Sequence, residues 1–380
     1  MRTGLFRLAA RDRHETNRVA TPLELMFDLA SVIAIAAAAA GLHHGLAAGH
    51  PWQGLLSFAM AFFAIWWAWM GYTWLASAFG NEGMLFRLMT MVAMTGSLII
   101  AAGIPEIFEK GQFYLTLTGY VVMRLALVPL WLMAAAGHPD RGPTCRRYAT
   151  GIVIAQVYWI VAVLGSGPDS PYALLLFGIG VLVEISVPVL AERQGTTGWH
   201  RHHITERYGL LNIIVLGECF LATVLAFRTG ADHVSLADPL LHAAIAFLLI
   251  TFALWWIYFG NGNILVGETG REGFIWGYGH AIVFAAGASL GAGFSALVEV
   301  SGGHGHTAPA EGIELAIAIP VAAYLAGVWL VRDRTVMSGA GRIVLPGGAL
   351  AILAAGAFLP APLAWIAALT VLTAVLRNRS

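Results

Sequence analysis

The sequence predicts an all-α membrane protein built from about twelve transmembrane helices. Of its 380 residues, 58% are hydrophobic and 11% are charged, whereas soluble domains carry about 25% charged residues. Apolar runs recur almost from end to end. Each run is close to the roughly 20 residues that a helix needs to cross the hydrocarbon core of a bilayer. These observations predict a polytopic protein whose main body lies in the membrane.

Twelve spans account for the apolar runs. In order they cover residues 23–47, 52–77, 84–108, 113–136, 147–165, 170–192, 204–228, 240–259, 272–298, 311–332, 341–357 and 360–377. The last two are the weakest, because Pro346, Gly347, Gly348, Pro360 and Pro362 interrupt them and proline removes a helical hydrogen bond. Without this pair, ten spans remain and both termini stay on the same side.

The distribution of arginine predicts the orientation, because positive residues are retained in the short cytoplasmic loops. With the N-terminus inside, 18 of the 21 basic residues are cytoplasmic. Only Lys110 and Arg228 fall outside, and Arg124 lies within a span. Both termini are therefore expected in the cytoplasm, with residues 1–20 as a basic tail. The first span can serve as the insertion signal.

No loop is long enough to separate soluble domains, so residues 21–377 are expected to form a single transmembrane domain. A weak repeat is nevertheless present, because FAIWWAWMGYTW from Phe63 resembles FALWWIYFGN from Phe252. Six spans separate the copies, so the two halves, 21–192 and 204–377, would be parallel repeats. Alternatively, the tryptophan pairs are ordinary interfacial anchors. The GASLG motif at 287–291 predicts close helix packing, and nothing indicates an oligomer.

The start of span one, TPLELMFDL, predicts a capping box in which Thr21 is the N-cap and Glu24 reaches back to it. Asp28 lies one turn deeper, where capping does not explain it. Charged groups inside a bilayer are costly and are usually paired or placed along a water-filled path. Asp28 is therefore expected to face a neighbouring helix or an aqueous vestibule.

Two further spans combine a charge with a proline. Arg124 precedes Pro129 in span four, and Glu184 precedes Pro188 in span six. Each proline deprives a carbonyl four residues earlier of its helical donor. Two interpretations follow. Either Arg124 forms a structural ion pair with Glu184 or Glu218, or these groups form a substrate or proton site.

Span seven begins with the segment ERYGLLNIIVLGE. Glu206 and Arg207 are expected at its cytoplasmic entry, where the helix dipole and the positive-inside pattern account for their charges. Glu218 lies roughly 18 Å farther along a regular helix. Its helical neighbours are apolar, so its partner must come from another helix.

The thirteen histidines do not predict a metal site. WHRHH at 199–203, GGHGH at 302–306 and the group His43, His44 and His50 are interpreted as exposed loop histidines, since no cysteine or clustered carboxylate accompanies them. His280 lies inside span nine, as a proton relay or as a satisfied core histidine.

The sequence contains none of the common catalytic or nucleotide-binding motifs. We therefore expect no catalytic residue, no enzyme activity and no cofactor. The formal net charge is zero, which gives no reason to expect a nucleic-acid partner. The expected partners are the lipid bilayer and a small molecule.

Several segments resemble the bacterial low temperature requirement A family. They are TPLELMFDL, WWAWMGYTWLASAF, LFRLMTMVAM, AAGIP, GYVVMRLALVPLW and HHITERYGLLNIIVLGE, and they cover most of the chain to about residue 290. The sequence departs from the family pattern at Met26, in ASV after Asp28, and at LLN, where Asn212 adds an amide. The resemblance implies a multi-pass bacterial inner-membrane protein without an established biochemical activity. It carries over the signature positions Glu24, Asp28, Arg124, Glu206, Arg207 and Glu218 without assigning them roles.

Unpaired ionisable residues and proline-broken helices together favour a secondary transporter. Arg124 would bind an anionic group of a small substrate at mid-depth between the two halves. Glu218, Glu184 or Asp28 would carry a coupling proton. The alternative is a membrane sensor or scaffold whose buried charges only fix the helix register, and an intramembrane enzyme ranks third.

Overall fold

A computed structural model describes residues 7–10, 18–80, 83–167, 170–229, 239–260, 270–302 and 313–379. Most of the predicted cytoplasmic tail lies outside these ranges. So do His304 and His306 of the GGHGH segment.

The described residues fold into fourteen α-helices and contain no β-strand. The helices are α1 (Pro22–Ala47), α2 (Pro51–Ala78), α3 (Met84–Lys110), α4 (Tyr114–Leu125), α5 (Leu127–Gly137), α6 (Gly142–Ser166), α7 (Ala173–Ala191), α8 (Arg201–Thr229), α9 (Pro239–Phe259), α10 (Gly270–Ser301), α11 (Leu315–Val328), α12 (Arg334–Val336), α13 (Gly341–Phe358) and α14 (Pro362–Arg379). A π-helical turn, Trp329–Asp333, joins α11 to α12.

Eleven described segments are long and apolar enough to cross a membrane, with α4 and α5 counted as one span. They include α13, one of the two weakest predictions. The twelfth predicted span corresponds to α14, which is helical but is not among the eleven and carries two arginines in its last turn. The chain is therefore an all-α, multi-pass membrane protein, as predicted.

Span four is broken where its proline predicts. Helix α4 ends at Leu125, and α5 begins at Leu127 after a turn at Ala126. Pro129 has no N–H to donate to the carbonyl of Leu125. Helix α7 also contains a proline, Pro188, but it continues through this residue without a break.

The chain divides into two compact units. Unit 1 comprises Met1–Ala38 and Met60–Arg207, and unit 2 comprises Ala39–Ala59 and Tyr208–Ser380. The boundaries fall inside α1, α2 and α8 rather than in loops, so the units differ from the predicted halves 21–192 and 204–377.

Each unit packs its helices in a similar order. In unit 1, α3 packs on α4, α5 on α6, and α6 on α7. In unit 2, α10 packs on α11, α11 on α13, and α13 on α14. Two six-helix repeats would give this order, and the duplication itself stays a prediction.

Glycines allow close helix packing in both units. In unit 2, a Cβ on Gly291 would lie 3.2 Å from the backbone of Glu218, and one on Gly287 would lie 3.0 Å from Val215. The GASLG motif therefore packs α10 against α8 within the chain, as the small-residue spacing predicts.

The α3–α4 contact in unit 1 is closer still and gives a first prediction. A Cβ on Gly119 would lie 2.5 Å from the Gly96 carbonyl oxygen and from the Ile100 nitrogen, which are backbone atoms that cannot rotate away. We expect Gly119→Ala to lower the free energy of unfolding by about 1–3 kcal/mol, the usual cost of overpacking.

Chemical unfolding in detergent, followed by circular dichroism, measures this cost. Gly178→Ala is the matched control, because a Cβ at this exposed helical position meets no atom within 4 Å. Equal unfolding free energies for the two variants would contradict the packing argument.

Candidate functional site

Asp28 belongs to a buried ionic network in unit 1. Arg207 of α8 donates from Nε to Oδ2 of Asp28 at 3.0 Å and from Nη2 to Oδ1 at 2.5 Å. Trp69 of α2 donates from Nε1 to Oδ1 at 2.6 Å. All three side chains are fully buried. We call Glu24, Asp28, Trp69, His203 and Arg207 the Asp28 network.

The placement of Arg207 corrects the sequence interpretation. The predicted position was a cytoplasmic helix entry where the dipole and the positive-inside pattern suffice, but the guanidinium is buried and is neutralised by Asp28. Glu206, its neighbour, accepts a hydrogen bond from the backbone N–H of Ala20 at 3.1 Å. It therefore fixes the chain just before α1.

The predicted capping box is present at the start of α1. The Thr21 backbone N–H donates to Oε2 of Glu24 at 2.7 Å, and the Glu24 N–H donates back to the Thr21 hydroxyl at 3.3 Å. The second oxygen of Glu24, Oε1, faces His203 Nε2 at 3.2 Å and Arg207 Nη1 at 3.7 Å. Glu24 therefore caps its own helix with one oxygen and faces two cationic or protonatable groups of α8 with the other.

His203 was missed by the sequence analysis, which placed the WHRHH histidines in an exposed loop. It lies in the first turn of α8 with none of its side chain exposed. Within the described part of the chain, neither of its ring nitrogens has a hydrogen-bond partner, and neither does Glu24 Oε1 or Arg207 Nη1. His203 therefore adds a buried, titratable imidazole to this network, beside the Glu24 carboxylate.

A second network surrounds Glu184 in the middle of α7. Its buried carboxylate accepts four hydrogen bonds: from Arg124 Nη2 at 2.8 Å, Trp67 Nε1 at 2.9 Å, the Tyr120 hydroxyl at 2.6 Å and Gln156 Nε2 at 3.1 Å. Of the two ion-pair partners predicted for Arg124, the structure brings Glu184 to it. We call these five residues the Glu184 network.

Helix α2 supplies a donor to each network. Trp67 donates to Glu184 and Trp69 donates to Asp28, and both indoles are buried. The interfacial-anchor interpretation is therefore wrong for Trp67. It fits Trp255 and Trp256 better, since their exposed fractions are 50% and 39%.

An aromatic pocket lies beside the Glu184 network. This cavity of about 100 Å³ is bounded by α2, α4, α6, α7 and the α3–α4 connection, and none of its lining side chains is charged. Six of the lining residues are aromatic: Phe63, Phe113, Tyr114, Tyr120, Trp159 and Phe177. Because the pocket borders the end of α3 that carries Lys110, the charge pattern predicts it on the outer side of the membrane.

Two residues that line the pocket each have a buried polar atom without a partner in the described part of the chain. Thr116 Oγ1 and Trp159 Nε1 have no hydrogen-bond partner among the described residues. Tyr120 also lines the pocket and donates its hydroxyl to Glu184. The wall therefore combines aromatic faces with a few polar groups, as small-molecule sites commonly do.

Unit 2 contains a different ionic cluster that the sequence analysis did not identify. Asp333, at the end of the π-helical turn, accepts hydrogen bonds from Arg332 and Arg377. Both arginines also donate to the carbonyl of Ile257, near the end of α9. Through these hydrogen bonds the cluster holds α14 and the π-helical turn against α9.

His280, predicted as a proton relay or a satisfied core histidine, is buried and has a polar contact at each ring nitrogen. Its Nδ1 lies 2.7 Å from the Trp276 carbonyl oxygen, and its Nε2 lies 3.0 Å from the Tyr258 hydroxyl. Since a carbonyl only accepts, Nδ1 carries the proton and Nε2 accepts from Tyr258. Both ring nitrogens are therefore engaged in the packing of unit 2.

Glu218 is not drawn into any of these networks. Its side chain is partly buried, and it has no hydrogen bond or ion pair within the described ranges. Asn212, one turn and a half earlier, instead pairs with the Tyr324 hydroxyl at 2.9 Å. The partner that the sequence predicted for Glu218 on another helix is not found among the described residues.

Comparisons with known proteins identify the family of this chain. The family model described as bacterial low temperature requirement A protein (LtrA) matches residues 19–376. An uncharacterized protein, RA0937, of Rhizobium meliloti (strain 1021) is 27% identical over 250 residues, or 63% of this chain. The match spans 58% of that relative's length, and no solved structure matches. Because the family model covers nearly the whole chain, the chain belongs to the bacterial low temperature requirement A family.

Proposed function

We propose that this protein is a secondary transporter of the bacterial inner membrane that exchanges a small substrate for a proton, and that it performs no catalysis. The observation that carries the proposal is the Tyr120 side chain, which lines the aromatic pocket and donates to the buried carboxylate of Glu184. A substrate in the pocket would therefore contact Tyr120, whose hydroxyl reaches the ion pair of Glu184 and Arg124. Moving that hydroxyl removes one of the four hydrogen bonds that the Glu184 carboxylate accepts.

The two networks of unit 1 would respond together. Trp67 and Trp69 are two residues apart on α2 and donate to Glu184 and Asp28, respectively. A displacement of α2 therefore changes the hydrogen bonding of both carboxylates at once. Proton-coupled transport requires such coupling between a substrate site and buried ionisable groups.

The pocket favours a small organic cation as the substrate. Aromatic faces attract ammonium groups, by about 2 kcal/mol in a desolvated site, and the lining has no cationic side chain to hold an anion. The Arg124 guanidinium, which the sequence analysis assigned to an anionic group, donates to Glu184 instead. We therefore propose substituted ammonium ions as the substrate class.

Ligand-induced stabilisation tests the pocket. Tetramethylammonium and choline are expected to raise the thermal unfolding midpoint of the purified protein, because a ligand that binds only the folded state stabilises it. Acetate and phosphate at the same ionic strength should not. Phe177→Ala removes one ring of the pocket and should weaken binding of the ammonium probes about tenfold.

Leu175→Ala is the matched control, since Leu175 lies on the same helix, is 61% exposed and does not line the pocket. It should bind the probes as the natural protein does. Stabilisation by the anions alone, or equal binding by the two variants, would contradict an organic-cation site.

Proton movement is measured in proteoliposomes that contain a pH-sensitive dye. Adding the ammonium probe that binds most tightly should change the internal pH, and Tyr120→Phe should bind that probe but slow the change. Tyr120→Phe keeps the ring and removes only the hydroxyl that reaches Glu184.

The alternative function is a membrane sensor or scaffold with structural ion pairs. It is supported by the four hydrogen bonds that Glu184 accepts, which already satisfy the carboxylate. A scaffold would bind no ammonium probe and would show no probe-dependent proton flux, whereas loss of its ion pairs would still destabilise the fold.

A further inference from the structure

A group of metal-ligating side chains lies in unit 2, and its residues belong neither to the aromatic pocket nor to the two networks of unit 1. His43 and His44 are near the end of α1, and Glu299 is near the end of α10. Their candidate ligand atoms all lie within 4.8 Å of one another. The two histidines were predicted to be exposed loop residues, but they are helical, and the His43 side chain is only 16% exposed.

The contact between His43 and Glu299 has an unusual geometry. His43 Nε2 lies 2.7 Å from a carboxylate oxygen of Glu299, yet Nε2 makes no well-directed hydrogen bond. The His44 ring stacks on the His43 ring, with the centroids 4.8 Å apart, and brings a second imidazole to the same place.

We infer that His43, His44 and Glu299 form a divalent metal site that takes Zn²⁺. Two imidazoles and one carboxylate form a ligand set found in zinc sites, and three protein ligands leave a coordination position open. With neutral histidines the group carries one negative charge, which favours a cation. The arginine distribution predicts this end of α1 on the outer side of the membrane, so the ion would come from outside the cell.

The site is independent of the proposed transport function, because its three residues do not line the aromatic pocket. Its ligand chemistry also distinguishes it from a site for hard cations. Ca²⁺ prefers six to eight oxygen ligands, whereas imidazole nitrogens suit Zn²⁺ and neighbouring transition metals.

Zn²⁺ titration in competition with a chromophoric indicator tests the inference. The full chain is purified without a polyhistidine tag and is stripped of metal with a chelator. We expect one tight equivalent of Zn²⁺ per chain that excess Ca²⁺ does not displace. His43→Ala and Glu299→Gln should each weaken this equivalent at least tenfold, since loss of a direct ligand should exceed the effect of losing an outer-shell partner.

His50→Ala is the matched control, because His50 is an exposed histidine in the connection that follows α1. It should retain the tight equivalent. If His43→Ala does not give a monodisperse protein, His44→Ala replaces it, since the exposed His44 side chain does not fill space in the protein core. A natural protein without a tight equivalent, or unchanged affinity in the ligand variants, overturns the inference.

Discussion

Arg207→Gln is expected to lower the free energy of unfolding by about 3–5 kcal/mol, because it leaves the buried carboxylate of Asp28 without its charged partner. The guanidinium supplies two of the hydrogen bonds that Asp28 accepts, and neither side chain has contact with solvent. Chemical unfolding in detergent, followed by circular dichroism, measures the change. Arg201→Gln, which removes an exposed arginine at the start of the same helix, should stay within about 0.5 kcal/mol of the natural protein.

A double-variant cycle shows whether the cost arises from the unpaired charge. Removing both charges, in Asp28→Asn with Arg207→Gln, should cost clearly less than the sum of the two single changes. Neighbouring groups in one network depart from additivity by about 0.5–3 kcal/mol. Additive costs would mean that the two side chains act independently, contrary to the observed bidentate pair.

The features that the sequence predicted correctly depend on local spacing. The capping box of Thr21 and Glu24 follows from residues three apart, and the break after α4 follows from Pro129. The chemistry that creates each feature lies within one helical turn. Such features do not depend on how distant helices pack.

The partners across helices depend on that packing and could not be predicted in the same way. Arg207 and Asp28 are 179 residues apart in the sequence, and an arginine near the start of a span fits a surface position equally well. His203 was misjudged for the same reason. Its neighbours in WHRHH indicate a polar helix entry, whereas burial depends on how α1 and α8 pack.

The tryptophan pairs illustrate the limit of a repeat signal. Trp69 of α2 corresponds to Tyr258 of α9 in the predicted duplication, and each forms a hydrogen bond to a buried polar group, Asp28 and His280 respectively. Trp67 donates to Glu184, whereas its counterpart Trp256 is 39% exposed. Similar sequences therefore support an ionic site in unit 1 and mainly core packing in unit 2. This difference is why the proposed transport site lies in unit 1.

Arg124→Gln is expected to be the second strongly destabilising change, again by about 3–5 kcal/mol, because it leaves Glu184 charged and buried. Gly71 of α2 leaves space for this guanidinium, because a Cβ at that position would lie only 2.6 Å from Arg124 Nη1. The measurement is the unfolding free energy in detergent. Arg146→Gln on α6 removes an exposed arginine and should have little effect.

The double variant Arg124→Gln with Glu184→Gln separates the structural role of this pair from its proposed role in transport. Removing both charges should restore part of the lost stability, since no uncompensated charge remains in the membrane. The same protein, reconstituted into liposomes, should bind the ammonium probes in its aromatic pocket and yet move no protons, because the titratable carboxylate is gone. If the restored protein moves protons at the natural rate, Glu184 is only a structural partner of Arg124, and the coupling proton must be sought in the Asp28 network.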